Sequence, residues 1–582
     1  MGKTTSYLYD DHSNISQKTS PDEGTTKYRY DKYGNLRFSL NIGAPATEKA
    51  LNFTKYDQFN RLIASGLLIS TFGFDQLNAD LDYSTNQGSI THFENFNTDT
   101  ANFVVANMYD KYVKTGIFTN MPNPHLASFI SGKNLKGKLV ATAFRDKPGD
   151  PWSYKVYTYD YLGRVHYYWV KIGNKNWRVV INEYDNLGNT IKQNINNEFY
   201  VWYDYDEQGR LQEVRSSIHN TYTTAILDAV YTYDKSDKIK SSEFGTRVKP
   251  KMNYTYDAKG RVTDLNGIAT DMFTTQFRET LTYFDNDNIE SMYLQNTGNG
   301  SWSNLSFSYV YDGLNRLRNS NCNNASFSEA FNYNDDGNFT SKNKSGLTMS
   351  YNYVTNTNKI NYVKFNTVDK YYSHDYRGNI VSDGNKGLSI INYDRRNLIL
   401  SFIKSGQTNY YRYDDNGNRI YKGIYNQPKE YYFRDHTGKE LGIYDLNTGR
   451  LKMLNLYGNG LMGKVNVRWD STWTETDPGT WEYVYSRTDE RQYYFKDHLG
   501  SIRMILDENS EIVGAQDYYP FGSLLREATT GGNINNKYKF TEKERDTETN
   551  YDYFGARYYD SDLARWLSVD PLADIYPGWS PY

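Results

Sequence analysis

Carboxylate side chains are the most abundant residues in this chain that could do chemistry. Asp and Glu make up 69 of the 582 residues, and many of the aspartates follow a tyrosine at regular intervals. Two carboxylates held close together can act as general acid and base, or can share a proton. Because nearly every repeat brings its own aspartate, the spacing alone selects no pair for a glycosidase. A hydrolase is therefore the weakest of three functional hypotheses.

Histidine, cysteine and glycine patterns suggest no other chemistry. The eight histidines form no H-E-x-x-H pair, and one cysteine allows neither an internal disulfide nor a cysteine-based zinc site. The run at 458–463 fits G-x-G-x-x-G, but the residues after it alternate like a strand where a dinucleotide site needs a helix. Asp285, Asp287 and Glu290 lack the glycine and the spacing of a calcium loop. The sequence thus predicts no metal site and no cofactor.

The composition points to a large sheet that is wetted on at least one face. Tyrosine accounts for 58 residues and aromatic residues for 16%, which excludes a disordered chain. The formal net charge is −3, which argues against a nucleic-acid partner or an anionic membrane. No stretch approaches the roughly 18 apolar residues of a membrane span, and the amino terminus lacks the apolar segment of a signal peptide.

A tyrosine–aspartate repeat runs through most of the chain. The phrase Tyr-x-Tyr-Asp-x-x-Gly, followed by Arg or Asn and then an apolar residue, occurs at 157–165, 203–211, 254–262 and 411–420. Between the aspartate positions 160 and 435, twelve intervals span 275 residues, so the period is about 23. The intervening copies place Asp185, Asp234, Asp285, Asp312, Asn334, Val354, Asp375 and Asp394 in the aspartate position, and two earlier copies do so at Asp31 and Asp57.

Each repeat reads as a strand, a tight turn and a strand. Alternate tyrosines share one face of a strand, and the aspartate ends that strand by accepting hydrogen bonds from amides two or three residues later. A sheet of some 26 such strands cannot stay flat, because twisted open sheets rarely exceed about ten strands. We therefore predict an all-β fold in which tandem antiparallel hairpins wind into a hollow spiral shell. A solid sandwich stack or a propeller is the alternative.

Ordered motifs follow the repeats near the carboxy terminus. They contain Asp497, His498 and Gly500, then Pro520, Phe521 and Gly522, then Gly555, Arg557, Tyr558 and Tyr559, and finally Arg565, Asp570 and Pro571. Together with the repeats, they resemble the rearrangement-hotspot (Rhs) or YD-repeat family and its Rhs repeat-associated core domain.

The resemblance implies a specific architecture and activity. Such proteins form a β-cocoon, also found in the C component of Tc toxins, whose spiralling hairpins enclose a toxic carboxy-terminal domain. The core segment curls inward as a plug, and in many members an intramolecular aspartyl protease cuts the chain. By this resemblance Asp570 is the first acid of that protease, with Arg565 in a supporting position. For Asp570, a turn-forming Asp–Pro carboxylate is the alternative interpretation.

The sequence departs from the family pattern at its end. The family continues with a second acid, another Asp–Pro motif that marks the cut, and a variable toxin, whereas Tyr582 is the last residue here. Smaller departures are Glu542, where glycine is usual, and Ala564 before Arg565. We therefore expect that this chain does not cut itself, is not an enzyme and carries no toxin.

The register of the repeat predicts the domain boundaries. We expect an amino-terminal segment (1–27), first repeats (28–68), an irregular insertion or degenerate repeats (69–150), the main shell (151–445), a Trp- and Thr-rich insertion (446–490) and the core (491–582). The insertion is predicted as a β-ribbon packed on the shell. Alternatively, it displays aromatic residues such as Trp469, Trp473 and Trp481 for stacking on sugars.

The leading functional hypothesis is an encapsulating shell for a secreted polymorphic toxin of the Rhs type, used in competition between bacteria. Its expected partners are a carboxy-terminal toxin domain and a delivery apparatus that exports the protein from a bacterial cytoplasm without a signal peptide. A carbohydrate-binding or cell-surface adhesion module built on the same repeats is the alternative.

Overall fold

The structure is a computed structural model of the full chain. It describes residues 4–44, 51–68, 74, 103–112, 116–121, 135–245, 249–269, 275–298, 300, 302–477, 480–529, 536–575 and 580–582. Much of the predicted irregular region 69–150, and the side chain of Trp481, lie outside the described residues.

The main sheet, which we call the wall, contains forty strands among the described residues. The first part of the wall contains β1 (Ser6–Tyr9), β2 (Ile15–Ser20), β3 (Gly24–Tyr30), β4 (Leu36–Asn41), β5 (Leu51–Tyr56), β6 (Leu62–Leu68), β7 (Phe103–Tyr109), β8 (Leu139–Phe144), β9 (Ser153–Tyr159), β10 (Val165–Lys171), β11 (Arg178–Tyr184), β12 (Thr190–Ile195), β13 (Phe199–Tyr205) and β14 (Leu211–Ser217). The middle part contains β15 (Ile226–Tyr233), β16 (Ile239–Phe244), β17 (Lys251–Tyr256), β18 (Val262–Ile268), β19 (Thr275–Tyr283), β20 (Ile289–Asn296), β21 (Leu305–Tyr311), β22 (Leu317–Cys322), β23 (Glu329–Tyr333), β24 (Phe339–Lys344), β25 (Leu347–Tyr353), β26 (Ile360–Phe365), β27 (Val368–His374) and β28 (Ile380–Asp383). The last part contains β29 (Leu388–Tyr393), β30 (Ile399–Lys404), β31 (Gln407–Tyr413), β32 (Arg419–Gly423), β33 (Glu430–Arg434), β34 (Glu440–Asp445), β35 (Leu451–Gly458), β36 (Gly460–Asp477), β37 (Thr480–Lys496), β38 (Ile502–Asp507), β39 (Ile512–Tyr518) and β40 (Leu524–Thr529).

A second, small sheet follows the wall. It consists of β41 (Glu544–Arg545), β42 (Asp552–Tyr553), β43 (Tyr558–Asp560) and β44 (Arg565–Trp566). The helical pieces that the structure describes are single 3-10 turns at Gly116–Phe118, Tyr222–Thr224, Ala325–Phe327, Phe540–Glu542 and Ala573–Ile575. Within the described ranges, no helix has the length and apolar character needed to cross a membrane.

Among the strands that the structure describes, neighbours in the wall are neighbours along the chain. Each strand from β1 to β39 pairs antiparallel with the next one. The sheet therefore has two ends, at β1 and β40. The predicted all-β fold of tandem hairpins is confirmed. The segments expected at the amino terminus and within 491–529 also contribute strands to the wall.

The turn between β9 and β10 shows how the aspartate of a repeat acts. Asp160 Oδ1 accepts hydrogen bonds from the amides of Leu162 (3.0 Å) and Arg164 (2.9 Å), so the acceptor reaches two and four residues ahead. Its other oxygen accepts a bond from Arg164 Nε at 2.6 Å. Gly163, with φ of 80°, supplies the left-handed backbone position that the turn requires.

The repeat tyrosine ties each hairpin to the one before it. The Tyr184 hydroxyl donates to the carbonyl oxygen of Val165 at 2.7 Å, and the Arg164 guanidinium lies 4.6 Å from the centre of the Tyr184 ring. The ring thus packs in the sheet while its hydroxyl satisfies a backbone acceptor, and the nearby cation faces its π-system. Burial raises the pKa of Tyr184 to about 12, so this hydroxyl remains a donor at neutral pH.

This bond is a property of the repeat. Hydroxyl-to-carbonyl distances of 2.6–3.0 Å recur at Tyr159–Leu139, Tyr205–Thr190, Tyr233–Leu211, Tyr256–Ile239, Tyr283–Val262, Tyr311–Ile289, Tyr333–Leu317, Tyr353–Phe339, Tyr393–Ile380 and Tyr413–Ile399. The abundance of tyrosine in the chain therefore has a structural cause. One tyrosine per repeat connects neighbouring hairpins through both its ring and its hydroxyl.

Contacts between distant residues show that the wall winds back on itself. The turn after β31 meets β9 through Lys155 Nζ and Asp414 Oδ2, which lie 2.8 Å apart and 259 residues apart in the chain. At the start of the wall, Asn358 bonds Asp22 across 336 residues, while near the end Lys344 bonds Ser523 across 179. In each pair, the turn at the aspartate position of a later repeat contacts earlier strands at the end that is remote from their own such turns.

The winding tightens along the chain. Asp22 lies between β2 and β3, and its partner Asn358 lies 23 strands later, between β25 and β26. Lys344 ends β24, and its partner Ser523 lies only 15 strands later, between β39 and β40. At roughly 4.8 Å per strand, one turn measures about 110 Å at the first end and about 70 Å at the last. One apolar cluster joins side chains of β7–β21 to those of β32–β38 and so holds the successive turns together.

Candidate functional site: the interface between the wall and the carboxy-terminal core

The candidate site lies where the last part of the chain packs on the wall. We call residues 536–575 the core segment. Its apolar side chains Tyr551, Tyr553, Tyr558, Leu563 and Leu567 form one buried cluster with residues of β23–β31. The predicted core region therefore divides into two parts, because 491–529 completes the wall and only the core segment folds separately. The core segment covers a face of the wall, as a plug would.

A buried network of charges fastens the core segment to β32. Arg419 Nη1 lies 2.7 Å from Asp546 Oδ2, and Arg419 Nη2 lies 2.7 Å from Glu544 Oε2. Lys422 Nζ contacts Asp546 at 2.7 Å and Glu548 at 2.9 Å. The five side chains have almost no exposed surface, so these pairs act in a poorly screening environment. We call this set of residues the charged clasp.

Aromatic side chains enclose the charged clasp. The Arg419 guanidinium lies 4.9 Å from the ring centre of Tyr411, 5.1 Å from Tyr432 and 4.6 Å from Tyr553. The Tyr411 hydroxyl donates to Asp546 at 2.9 Å, and the Tyr432 hydroxyl donates to Glu544 at 2.9 Å. Burial alone would raise the pKa of Glu544, but the neighbouring cations outweigh burial and hold it well below its usual value. Glu544 is therefore ionised at neutral pH.

A second charged group joins the core segment to β28 and the turn after it. Lys386 Nζ contacts Asp562 and lies 3.5 Å from Asp560 Oδ1, while the Tyr551 hydroxyl donates to Asp383 Oδ2 at 2.6 Å. Burial raises the pKa of Asp560 to about 7, with Asp562 and Asp383 adding to the effect and Lys386 opposing it. The set therefore contains a carboxyl group that titrates close to neutrality.

Asp570 stands in a turn and is paired with an arginine. Its Oδ2 accepts a hydrogen bond from Arg557 Nη2 at 2.7 Å, and its Oδ1 accepts one from the Leu572 amide at 2.8 Å. Arg565 is directed elsewhere: its guanidinium bonds Asn338 and the carbonyl of Asn358 and lies 4.2 Å from the Tyr582 ring. The structure thus brings Arg557 to Asp570 and places Arg565 against the wall. The catalytic assignment of Asp570 and Arg565 stays a prediction.

The first of the ordered motifs fixes the turn between β37 and β38. Asp497 accepts bonds from the Ser501 amide (2.8 Å) and from Arg503 Nε (2.8 Å), in the manner of a repeat aspartate. His498 reaches β19, in the preceding winding of the wall. Its backbone amide and its Nδ1 contact the two carboxylate oxygens of Glu279 at 2.9 and 3.0 Å. Glu279 is fully buried. Its charge raises the pKa of His498 against the lowering effect of burial.

The remaining motif residues pack the core segment. Phe521 makes edge contacts with Phe331 and Phe339, with ring centres 5.1 and 5.4 Å apart. The Tyr558 ring stacks on Tyr411 at 5.8 Å, and the Tyr559 hydroxyl donates to the Phe521 carbonyl. The other members lie in turns: Gly500, Gly522 and Gly555 adopt φ of 84–88°, and Pro520 and Pro571 are themselves turn residues.

The two departures from the family pattern share a backbone feature. Glu542 has φ of 59° and Ala564 has φ of 56°, a left-handed conformation that favours glycine. Glu542 also pairs with Lys496 at 2.6 Å, which ties the core segment to β37. Ala564 has no polar side chain to compensate for the strained conformation. Both sequence differences therefore fall at positions where the backbone adopts a conformation that favours glycine.

Sequence reasoning missed the charged clasp. Arg419 and Lys422 belong to β32, where a charged residue next to a repeat turn reads as solvent-exposed, and 542–548 reads as a hydrophilic loop. The available signal was that the two cations flank the apolar pair Ile420 and Tyr421 within a five-residue strand.

The other patterns considered in the sequence lie in hairpin turns. The glycine run at 458–463 contains the tight turn between β35 and β36 and continues into β36, and Asp287 lies in a turn and is bonded to Lys259 and Arg261.

Comparison with known families and proteins finds matches to parts of the chain. The Teneurin YD-shell family matches residues 483–575. Toxin subunit YenC1 of Yersinia entomophaga is 22% identical over 466 residues, which cover 72% of this chain and 42% of that protein. Salivary gland surface protein 1 of Aedes aegypti is 26% identical over 37% of this chain and 6% of its own length. The tRNA nuclease WapA of Bacillus subtilis is 24% identical over 39% of this chain and 8% of its own length.

Solved structures share the fold. The crystal structure of TcdB2-TccC3 superposes with a TM-score of 0.67 at 15% identity, covering 99% of this chain and 27% of that one. The chain spans less than half the length of each of these relatives. Over residues 483–575 the chain is thus similar to the Teneurin YD-shell family, and its fold of consecutive hairpins is similar to that of the TcdB2-TccC3 structure.

Proposed function

We propose that this chain forms the wall and plug of a toxin container. The wall sequesters a toxic domain that would follow the core segment, and the core segment holds that domain inside until delivery. The observation that carries the proposal is the charged clasp, which joins Arg419 and Lys422 of the wall to Glu544, Asp546 and Glu548 of the core segment. Separating any one of these side chains from its partners would leave a buried charge without compensation. The clasp therefore favours a single position of the core segment on the wall.

The relatives support this proposal through their names. One is a toxin subunit and another is a tRNA nuclease, and in the nuclease the matched 228 residues are a small share of the protein. We therefore propose that the shared part is the shell and that the nuclease activity belongs to another part of that relative. By the same reasoning the wall of this chain is non-catalytic. Release from a bacterial cell by a delivery apparatus, for competition with other bacteria, completes the proposal.

A reporter fusion tests containment. A small folded reporter of about 100 residues, joined after Tyr582 of the full chain, is expected to resist protease at concentrations that degrade the same reporter joined before Met1. Asp546→Asn should increase digestion of the first fusion and leave the second unchanged. Equal digestion of the two fusions in the unmutated chain would refute containment.

A further inference from the structure

One hairpin extends beyond the rest of the wall. β36 and β37 contain 18 and 17 residues, whereas the other wall strands contain four to nine. β36 pairs with β35 as far as Asn466, and β37 pairs with β38 from Gln492 onward. Residues 467–477 and 480–489 therefore pair with each other alone among the strands that the structure describes. We call residues 467–489 the aromatic ribbon.

The described aromatic rings of the ribbon lie on one face. The register pairs Trp469 with Arg487, Ser471 with Tyr485 and Trp473 with Tyr483, and side chains paired in this way share a face. Ring centres of Trp473 and Tyr483 are 4.7 Å apart. The opposite face carries Arg468, Asp470, Thr472, Val484 and Ser486. Val467, at the base of the ribbon, also belongs to the aromatic face, but it packs against the apolar cluster of the wall.

The base of the ribbon is anchored and its outer part is open. Trp469 Nε1 donates to the Leu451 carbonyl at 2.8 Å, and the Arg450 guanidinium lies 3.5 Å from the centre of the Tyr485 ring. Farther out, Trp473 is 53% exposed and Tyr483 is 58% exposed. The neighbouring rings are thus presented to solvent on a support that is held against the wall. A ligand would meet them with little additional ordering of the protein.

The size and charge of this face favour a small neutral ligand. An aromatic side chain buries about 150–250 Å² when it is fully covered. The rings of Trp473, Tyr483 and Tyr485 are each about half exposed, so together they offer roughly 300 Å². A stable protein interface needs about 800 Å² on each side. Residues 467–489 contain two arginines and five acidic residues, a net charge of −3, which repels anionic membranes and anionic polymers.

We propose that the aromatic ribbon binds neutral glycans. Sugar rings present flat C–H faces that can stack on Trp473 and Tyr483, and their hydroxyl groups can bond Ser471 and the polar edge of the ribbon. This inference is independent of the container function, because the ribbon face lies outside the interface between wall and core segment. The ribbon would hold the shell at a surface that carries such sugars.

Binding can be measured with defined oligosaccharides. The full chain is tested on an array of tri- to hexasaccharides of glucose, galactose, mannose and N-acetylglucosamine, and then by calorimetry with the best of them. Trp473→Ala and Tyr483→Ala should each weaken binding at least tenfold. Val484→Ala, on the opposite face of the ribbon, and Tyr425→Ala, an exposed tyrosine elsewhere, should change it less than twofold. Unchanged melting temperatures would show that all four variants fold.

Three results would overturn the proposal. They are the absence of binding to every neutral oligosaccharide at millimolar concentration, binding that survives both ring substitutions, and preferential binding to anionic glycans. Light scattering that shows a dimer dissolved by Trp473→Ala would identify a second copy as the occupant instead. Co-sedimentation with phosphatidylcholine–phosphatidylglycerol vesicles, lost in the same variant, would identify a membrane.

Discussion

Arg419 of the wall and Asp546 of the core segment form a 2.7 Å ion pair in which neither side chain has exposed surface. The two residues are 127 positions apart, since Arg419 begins β32 of the wall and Asp546 directly follows β41 of the small sheet. Two buried charges are tolerated because each has further partners, Glu544 for the arginine and Lys422 for the aspartate. This pair therefore makes the position of the core segment on the wall specific.

Asp546→Asn should loosen the core segment. Removing one partner of a buried ion pair costs about 3–5 kcal/mol, because the remaining charge stays buried. Hydrogen exchange should show residues 536–575 losing protection before β9–β20. Asp470→Asn in the exposed pair with Arg468 is the matched control, with an expected effect below about 1 kcal/mol. Equal protection of the core segment in both variants would contradict the role of the charged clasp.

Asp560 should make stability depend on pH. Its pKa is about 7 in the folded chain and 3.8 in the reference state. Between these two pH values the folded state holds a proton that the unfolded state has released. The contribution of Asp560 to the free energy of unfolding therefore falls as the pH rises toward 7. Burial is the main cause of the raised pKa of Asp560; Asp562 and Asp383 raise it further, and Lys386 lowers it.

Asp560→Asn should remove that dependence. Between pH 5 and pH 8 the unmutated chain should lose about 3 kcal/mol more stability than the variant, as measured by urea denaturation. The amide oxygen of the new side chain can still accept the bonds from the Asp562 and Leu563 amides. Parallel pH profiles for the two proteins would show that Asp560 is ionised throughout this range.

Tyr184→Phe should isolate the hydroxyl that joins two hairpins. The substitution keeps the ring under Arg164 and removes the bond to the Val165 carbonyl, which should cost about 0.5–1.5 kcal/mol. Tyr425→Phe, at an exposed position, should have no measurable effect on the urea midpoint. If the two substitutions had the same effect, the bond between the Tyr184 hydroxyl and the Val165 carbonyl would not contribute to stability.

Ala564→Gly should stabilise the chain. Ala564 adopts φ of 56°, where a Cβ costs about 1–2 kcal/mol and glycine does not incur that cost. After the entropy that glycine loses on folding, a gain of about 0.5–1 kcal/mol should remain. Ala528→Gly in β40 is the control, because Ala528 lies in an ordinary strand where glycine brings only its entropic cost. This substitution should destabilise the chain. A lower melting temperature for Ala564→Gly would mean that the local backbone does not need the left-handed conformation.

The local part of the fold follows from the sequence because its causes are local. The aspartate turn and the alternation of tyrosine fix a hairpin within about 23 residues, and the number of hairpins requires winding. The structure confirms this fold and adds that Asp160 bonds the amide four residues ahead, since the turn brings Arg164 back to the start of the hairpin.

The candidate site is less predictable because its causes are distant. The acceptor of each tyrosine hydroxyl depends on how neighbouring hairpins align, as for Tyr184 and Val165. The contact between Lys155 and Asp414 spans 259 residues and requires knowledge of how many strands complete one turn. For the same reason, nothing in the motif around Asp570 indicates that Arg557 is its partner.

An electron cryomicroscopy map of the full chain tests the central claim most directly. The container account predicts a curved wall around an open interior, with residues 536–575 on the inner surface and Arg419 in contact with Asp546. A solid interior, or a core segment seated on the outer surface, would contradict it.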